Sequence, residues 1–360
     1  MRVIMNSQIL AAELRLLNKV VPTNPVIPIL SCALLRADER VYLSATDLEV
    51  GLSTSCDARV EAPGYVALPV EKLLALVEQF PDADVSLALD GSRVTVSCGA
   101  FQSRLQTMPA ADFPLVPQPD GHVERFDAGV FKSMLDRVRH AASSTQVRHI
   151  LRGVLLTLTG KAAAVVATDG KRLALATMGR ESDGGDVSVI IPSKAIDALR
   201  GQLESGSSVE VTIGSGHLFF TTRGGRVLTS RTIDGVFPAY QRIIPQDNDR
   251  VIVVDRLVLT PALKRVRVFA DKNCAVHMSI SPGSLGLSSG GMEIGSASET
   301  VAAEYEGAPM RICLNCDYVL DFLGAAVRQT VTVKVKDEEH PTLWMDGDDC
   351  ISVIMVMGVR

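Results

Sequence analysis

Aromatic side chains are scarce, 4% of 360 residues, so any core must rest on Leu, Val, Ile and Ala. No apolar run approaches the roughly 18–20 residues that a membrane-crossing helix needs. The opening Met1-Arg2-Val3-Ile4-Met5-Asn6-Ser7 lacks the apolar stretch of a secretory signal. A cytoplasmic protein is expected. The seven cysteines are odd in number and scattered, which argues for reduced thiols and against a disulfide framework. A net positive charge is also missing: the balance is −5. That weighs against a wholly basic, nucleic-acid-binding surface, but leaves room for one basic face offset elsewhere.

Catalytic signatures are missing too. The chain holds no HExxH, GxSxG, phosphate-binding loop or dinucleotide fingerprint, and the stretch from Gly283 to Gly295 lacks the strand–helix setting of one. Cys313 and Cys316 form a single CxxC, whereas a structural zinc site needs about four ligands. No metal, cofactor or catalytic residue is expected. What remains is a chain that is 47% hydrophobic and 21% charged, an ordinary globular composition at a length suited to two or three domains.

The informative feature is an internal repeat. VYLSATDLEVGL (41–52) and AAVVATDGKRLAL (163–175) share an Ala-Thr-Asp strand end, with Asp47 and Asp169 separated by 122 residues. VALPVEKLLALVEQF (66–80) matches VIIPSKAIDALRGQL (189–203), and RLQTMPAADFP (104–114) matches LTSRTIDGVFP (228–238), at spacings of 123 and 124. Fainter echoes at 285–299 and 311–327 complete three units: 1–120, 121–245 and 246–360. Each is large enough to own a core.

Each unit opens with an amphipathic segment. In 6–21, Ile9, Leu10, Leu14, Leu17 and Val21 form the apolar stripe, with Arg15 and Lys19 outward. In 127–142, Asp127 is the expected cap. Val130, Phe131, Met134, Leu135, Val138 and Ala142 make the stripe, opposite Lys132, Arg137, Arg139 and His140. In 260–270, Thr260-Pro261 has the form of a cap and first helical residue. Leu263, Val266 and Phe269 point inward, and Lys264, Arg265 and Arg267 outward. The second helices add Lys72, Lys194 and Arg200. Most other segments alternate polar and apolar residues between turn formers, the pattern of antiparallel strands. The expected class is α+β, two helices per domain packed on antiparallel sheet. If the repeats curve around an axis with the helices inward, the basic faces converge on a lumen that touches phosphates without reading bases. The bland alternative is that each basic face is merely the solvated side of a helix.

NPVIPILSCALL (24–35), ATDLEV (45–50), PAADFP (109–114), VRHILRGVLL (147–156), VATDGKRLAL (166–175), DGVFPAYQRIIP (234–245) and VIMVMGVR (353–360) together resemble the bacterial DNA polymerase III beta subunit family, the DNA sliding clamps. The pieces follow the family's order over the whole length. The resemblance implies a head-to-tail homodimeric ring of six similar clamp domains that encircles double-stranded DNA without sequence preference. It also implies a non-catalytic role as processivity factor. Partners would be the DNA polymerase III alpha subunit, the clamp loader, and other polymerases and repair proteins, bound through short linear peptides.

The resemblance further implies a partner-peptide pocket. Its positions here are Leu151, Thr168, Gly170, Lys171, Arg172, Leu173, Pro238, Arg242, Ile243, Pro341, Met355, Val356, Met357, Gly358, Val359 and Arg360. The implied ring contact joins Leu105 of one copy to Val268 and Phe269 of another. The implied lumen adds Arg148 to Arg15, Lys19, Lys72, Lys132, Arg137, Arg139, Lys194, Lys264 and Arg265. Two departures stand out. The tail reads Met357-Gly358-Val359-Arg360 where the family has Met-Pro-Met-Arg, and Asn24 stands where some relatives carry arginine. They leave open a divergent accessory clamp or a peptide-binding adaptor. An enzyme using Asp47 or Asp169 is the competitor from another class, although matched turn-capping roles account for both residues.

Overall fold

A computed structural model describes residues 1–145, 148–180, 185–291 and 295–358. It resolves into two units, Met1–Lys132 with Lys194–Thr232, and Ser133–Ser193 with Ile233–Arg360. Six α-helices are present among the described residues: α1 (Ser7–Asn18), α2 (Val70–Val77), α3 (Ala128–Val138), α4 (Ser193–Arg200), α5 (Arg256–Arg267) and α6 (Cys316–Ala325). Every described strand pairing is antiparallel, so the class is α+β.

The first unit contains two sheets. One has five strands in the order Arg59–Ala62, Arg2–Asn6, Asp84–Asp90, Arg93–Cys98, Phe101–Gln106. The other has eight: His122–Asp127, Ser208–Ile213, His217–Thr222, Arg226–Arg231, Val50–Cys56, Val41–Thr46, Cys32–Ala37 and Gly64–Pro69. Its middle is a seam between Arg226–Arg231 and Val50–Cys56, with Val227 opposite Ser53. The second unit repeats the plan. Its eight-stranded sheet runs Val187–Pro192, Gly153–Thr159, Ala162–Thr168, Arg172–Gly179, Cys350–Ile354, Thr342–Met345, Thr330–Val335, Arg250–Asp255. The seam there sets Leu175 opposite Ile351. A four-stranded sheet follows: Gly295–Ala302, Ser284–Gly291, Ala275–Ser281, Met310–Asn315.

Helix starts are fixed by short polar caps. Asn6 accepts from the amides of Gln8 and Ile9, Asn315 from those of Asp317 and Tyr318, and Asp127 from that of Val130. α1 buries Leu10, Ala11, Leu14 and Leu17, and α6 buries Cys316, Val319, Phe322 and Leu323. The expected stripes need two corrections. Ile9 and Val130 are 45% and 46% exposed. Each residue turns the chain about 100° around the axis, so Ile9, one step from Leu10, falls at the rim of the buried arc.

The third leading helix also starts elsewhere than expected. α5 begins at Arg256, because Asp255 accepts from the amides of Leu257 and Val258. Thr260-Pro261 is not its cap: Pro261 lies inside the helix. The helix ends at Arg267, so Phe269 lies past its C-cap and is only half-buried. The Ala-Thr-Asp turns behave as capping elements. Asp47 accepts from the amides of Glu49 and Val50, and Asp169 from those of Lys171 and Arg172.

Candidate functional site

In the second unit, the turn after Ala162–Thr168 borders a buried apolar cluster. Gly170 supplies the left-handed backbone (φ 88°) that the turn needs. Thr168 locks the turn, donating its hydroxyl to the Arg172 carbonyl at 2.6 Å and accepting from the Gly170 amide at 3.1 Å. Leu151, Leu155, Val166, Leu173, Ile190, Phe237, Leu343 and Val353 are buried together there. Ile150, Leu175, Tyr240, Ile244 and Met345 lie partly buried against them. The chain's end runs past this cluster, held by backbone bonds from Met355 N–H to the Lys171 carbonyl (3.1 Å) and from Met357 N–H to the Cys313 carbonyl (2.8 Å).

Most of the expected pocket residues gather here. Leu151, Thr168 and Leu173 are buried. Lys171, Pro238, Arg242, Ile243, Met355 and Gly358 are exposed. Pro341 accepts from the Asn248 side chain at 2.9 Å, and Val356 packs instead on the neighbouring core. Val359 and Arg360 lie outside the described residues. Sequence reasoning missed Ile150, Tyr240, Ile244, Leu343 and Val353. Their signal was weak, because the strand and turn patterns that hold them mark the core without marking an opening.

Arg172 is heavily engaged. Its guanidinium bonds Asp169 (3.0 Å), Asp321 (2.6 Å) and the His140 carbonyl (2.6 Å), and lies 4.3 Å from the Tyr318 ring centre. His140 is enclosed with both ring nitrogens unpartnered among the described residues. Burial, with the Arg172 charge beside it, lowers its pKa to about 4. Arg148 lies close by: a Cβ added at Gly170 would stand 3.1 Å from its Nη1.

The basic residues divide into four groups. Arg137 is 8% exposed and bonds Asp349 at 2.6 Å with Asp346 nearby, so the expectation that it faces outward is corrected. Lys194 is likewise drawn in, bonded to Asp47 and to the Val20 carbonyl. In both cases a carboxylate distant in sequence recovers the charge's lost hydration. Arg15 and Arg265 are exposed but paired with Glu78 and Glu299. Such surface pairs are worth only about 0–1 kcal/mol. Lys19, Lys72, Lys132 and Lys264 have no carboxylate within salt-bridge distance among the described residues, and all but the half-buried Lys132 are exposed. Lys19 rests over Gly201 at the C-terminal end of α4, where a cation is favoured. Arg139 and Arg200 are half-buried and engaged.

The expected ring-contact residues flank two sheet edges. Leu105 is half-buried on Phe101–Gln106, the last strand of the five-stranded sheet. Val268 is 75% exposed. The Phe269 ring sits beside Gly295, which opens the edge strand of the four-stranded sheet, 3.6 Å from where a Cβ would stand.

The whole length matches known proteins. The N-terminal, central and C-terminal domain models of the DNA polymerase III beta subunit match residues 1–117, 125–239 and 241–360. The chain belongs to the DNA polymerase III beta subunit family. A curated Beta sliding clamp of Caulobacter vibrioides is 35% identical over 343 residues, covering 92% of each chain. That of Pseudomonas putida is 30% identical over 358 residues, 98% of this chain and 97% of the other. The crystal structure of the DNA polymerase III subunit beta from Pseudomonas aeruginosa superposes with a TM-score of 0.94 at 30% identity, covering all of both chains. A Pseudomonas aeruginosa clamp bound to griselimycin gives the same score and identity. As a beta subunit the chain is a DNA sliding clamp: a non-catalytic processivity subunit that acts on DNA and serves polymerases and peptide-bearing partners.

Proposed function

We propose that two copies of this clamp join head to tail into a ring of six domains around duplex DNA. The clamp loader would load the ring, which would then tether the DNA polymerase III alpha subunit and other replication and repair proteins in the cytoplasm. The domains are those read from the repeat, 1–120, 121–245 and 246–360. The observation that carries this reading is the sheet topology. Both long sheets contain a seam joining the strand after an Ala-Thr-Asp turn to the last strand of the following repeat, or its counterpart. The same two strand types are left over as edges, Phe101–Gln106 and Gly295–Ala302. Exposed edges invite pairing, and a second copy satisfies both. Lys19, Lys72, Lys132 and Lys264, with the weakly paired Arg15 and Arg265, would supply the phosphate contacts.

The partner groove would open over the apolar cluster around Leu173, where apolar side chains of a linear peptide would meet Leu151, Leu173, Val353 and the Met355–Gly358 tail. Arg172 shapes the groove through its bonds to Asp169 and Asp321. The deciding experiment is retention of the loaded protein on nicked circular DNA. We expect retention that ends when the circle is linearised. Release from intact circles at the same rate would overturn the ring. Met357→Ala should weaken peptide binding and leave retention intact; equal loss of both would misplace the groove.

A further inference from the structure

The seam of the first unit carries a cavity of about 220 Å³, separate from the groove described above. Its floor is set by strand register: Thr229 stands opposite Gly51, and Arg231 opposite His217. Gly51 contributes no side chain, and Val116 hangs over it, 3.0 Å from where a Cβ would stand. The covering segment is pinned by the Thr229 hydroxyl, which donates to the Pro117 carbonyl at 3.4 Å. The repeat's counterpart of Gly51 in the second unit is Leu173, which is buried there. Where the second seam has the Leu173 side chain, the first has the Val116 γ-methyl reaching in over a glycine from the covering segment.

Three further observations point to a ligand. Leu48 and Leu115 at the cavity are 49% and 97% exposed, an unusual display for leucines that line one space. Leu48 is held at φ 77°, a conformation that disfavours side chains, at the position where the second unit has Gly170. Arg231 also lines the cavity. It is exposed and, among the described residues, has no carboxylate within salt-bridge distance, although Glu49 lines the same space.

We propose that this cavity docks an extended peptide segment of another protein. One branched apolar side chain would rest among Leu48, Leu115 and Val116, and a neighbouring carboxylate would pair with Arg231. The volume suits a single leucine-sized side chain, below the roughly 300 Å³ at which drug-sized pockets begin. Binding is accordingly weak on its own and gains strength when the partner is already held elsewhere on the clamp. The inference rests on the chain being a partner-binding clamp.

The test uses the full-length protein with methyl-labelled Leu and Val, titrated with N-acetyl-Leu-Asp-amide and N-acetyl-Leu-Asn-amide. The expected result is saturable shifts at Leu48, Leu115 and Val116 with the aspartate probe. These should weaken about tenfold for the asparagine probe and for Arg231→Gln. Gly51→Ala should reduce them, because its Cβ would stand 3.0 Å from the Val116 γ-methyl and displace the residue that covers the cavity. Shifts confined to Leu173 and Val353, shifts indifferent to Arg231→Gln, or shifts produced by raising the protein's own concentration without probe would each overturn the proposal. Retention on circular DNA, measured on the same samples, reads the clamp function separately.

Discussion

Arg172 gives its whole guanidinium to neighbours: two carboxylates, one carbonyl and an aromatic face. Arg172→Ala leaves Asp169 partly buried without its cation and removes three hydrogen bonds, at a cost of about 1–3 kcal/mol after allowing for the exposure of Asp321. The expected outcome is a lower melting temperature in differential scanning calorimetry. Arg172→Lys should recover less than half, because an ammonium cannot reproduce the planar fork. Full recovery by lysine would mean that only the charge matters. His140 adds a pH dependence to the same cluster. It faces Arg172, Asp169 and Asp321, and its pKa is about 4 in the fold against an ordinary value near 6.5. Because the folded value is depressed, its contribution is complete above about pH 6.5 and is lost as pH falls toward 4, to a maximum of about 3 kcal/mol. His140→Leu should flatten the acid limb of a stability–pH curve across that window. An unchanged slope would show that the imidazole is hydrated.

Elements were legible in the sequence where the information is local. The Ala-Thr-Asp turns, the strand–proline–helix units and the cap at Asp127 follow from neighbours a few residues apart. The fates of Arg137 and Lys194 were not, because their carboxylates lie 212 and 147 residues away. Nor was the gathering of Leu343 and Val353 with Leu173, since they look like any buried strand residues. The start of α5 failed for a competing signal: Asp255 outranks Thr260, and α5 then tolerates Pro261 on its exposed side. That proline has no N–H for the Leu257 carbonyl, a defect that costs an interior helix position up to about 3 kcal/mol. Pro261→Ala restores the bond while enlarging the unfolded ensemble, which offsets about 0.4–1 kcal/mol. The net expectation is stabilisation by about 1 kcal/mol or more, seen as slower hydrogen exchange through α5. Faster exchange would show that the ring of Pro261 supports the helix.

At the scale of the whole molecule, the repeat specifies how two copies should pair. Gly153 pairs with Pro192 and Ala275 with Asn315, which aligns the second and third repeats. From there, Leu155 leads through Val166 to Leu175, and His277 through Ser288 to Ser298. Ser298 is thus the counterpart of Leu175, just as Ser103 is the counterpart of Val227 and Ile351. If the contact between copies copies the internal seams, Ser298 of one lies opposite Ser103 of the other, and Ser296 opposite Leu105. That places Leu105 near Phe269, which already flanks Gly295. It also offers a partner to the Ser103 hydroxyl, which is buried and unbonded among the described residues. Directly opposed residues are the ones whose Cβ atoms approach disulfide distance. A one-residue slip would turn every side chain to the other face. The Ser103→Cys, Ser298→Cys protein should therefore oxidise to a covalently closed dimer, whereas Ser103→Cys with Ala297→Cys should not. Once closed, it should stay on circular DNA until the thiols are reduced or the circle is cut. Efficient closure by the Ala297 pair instead would show that the junction between copies does not follow the register of the seams within the chain.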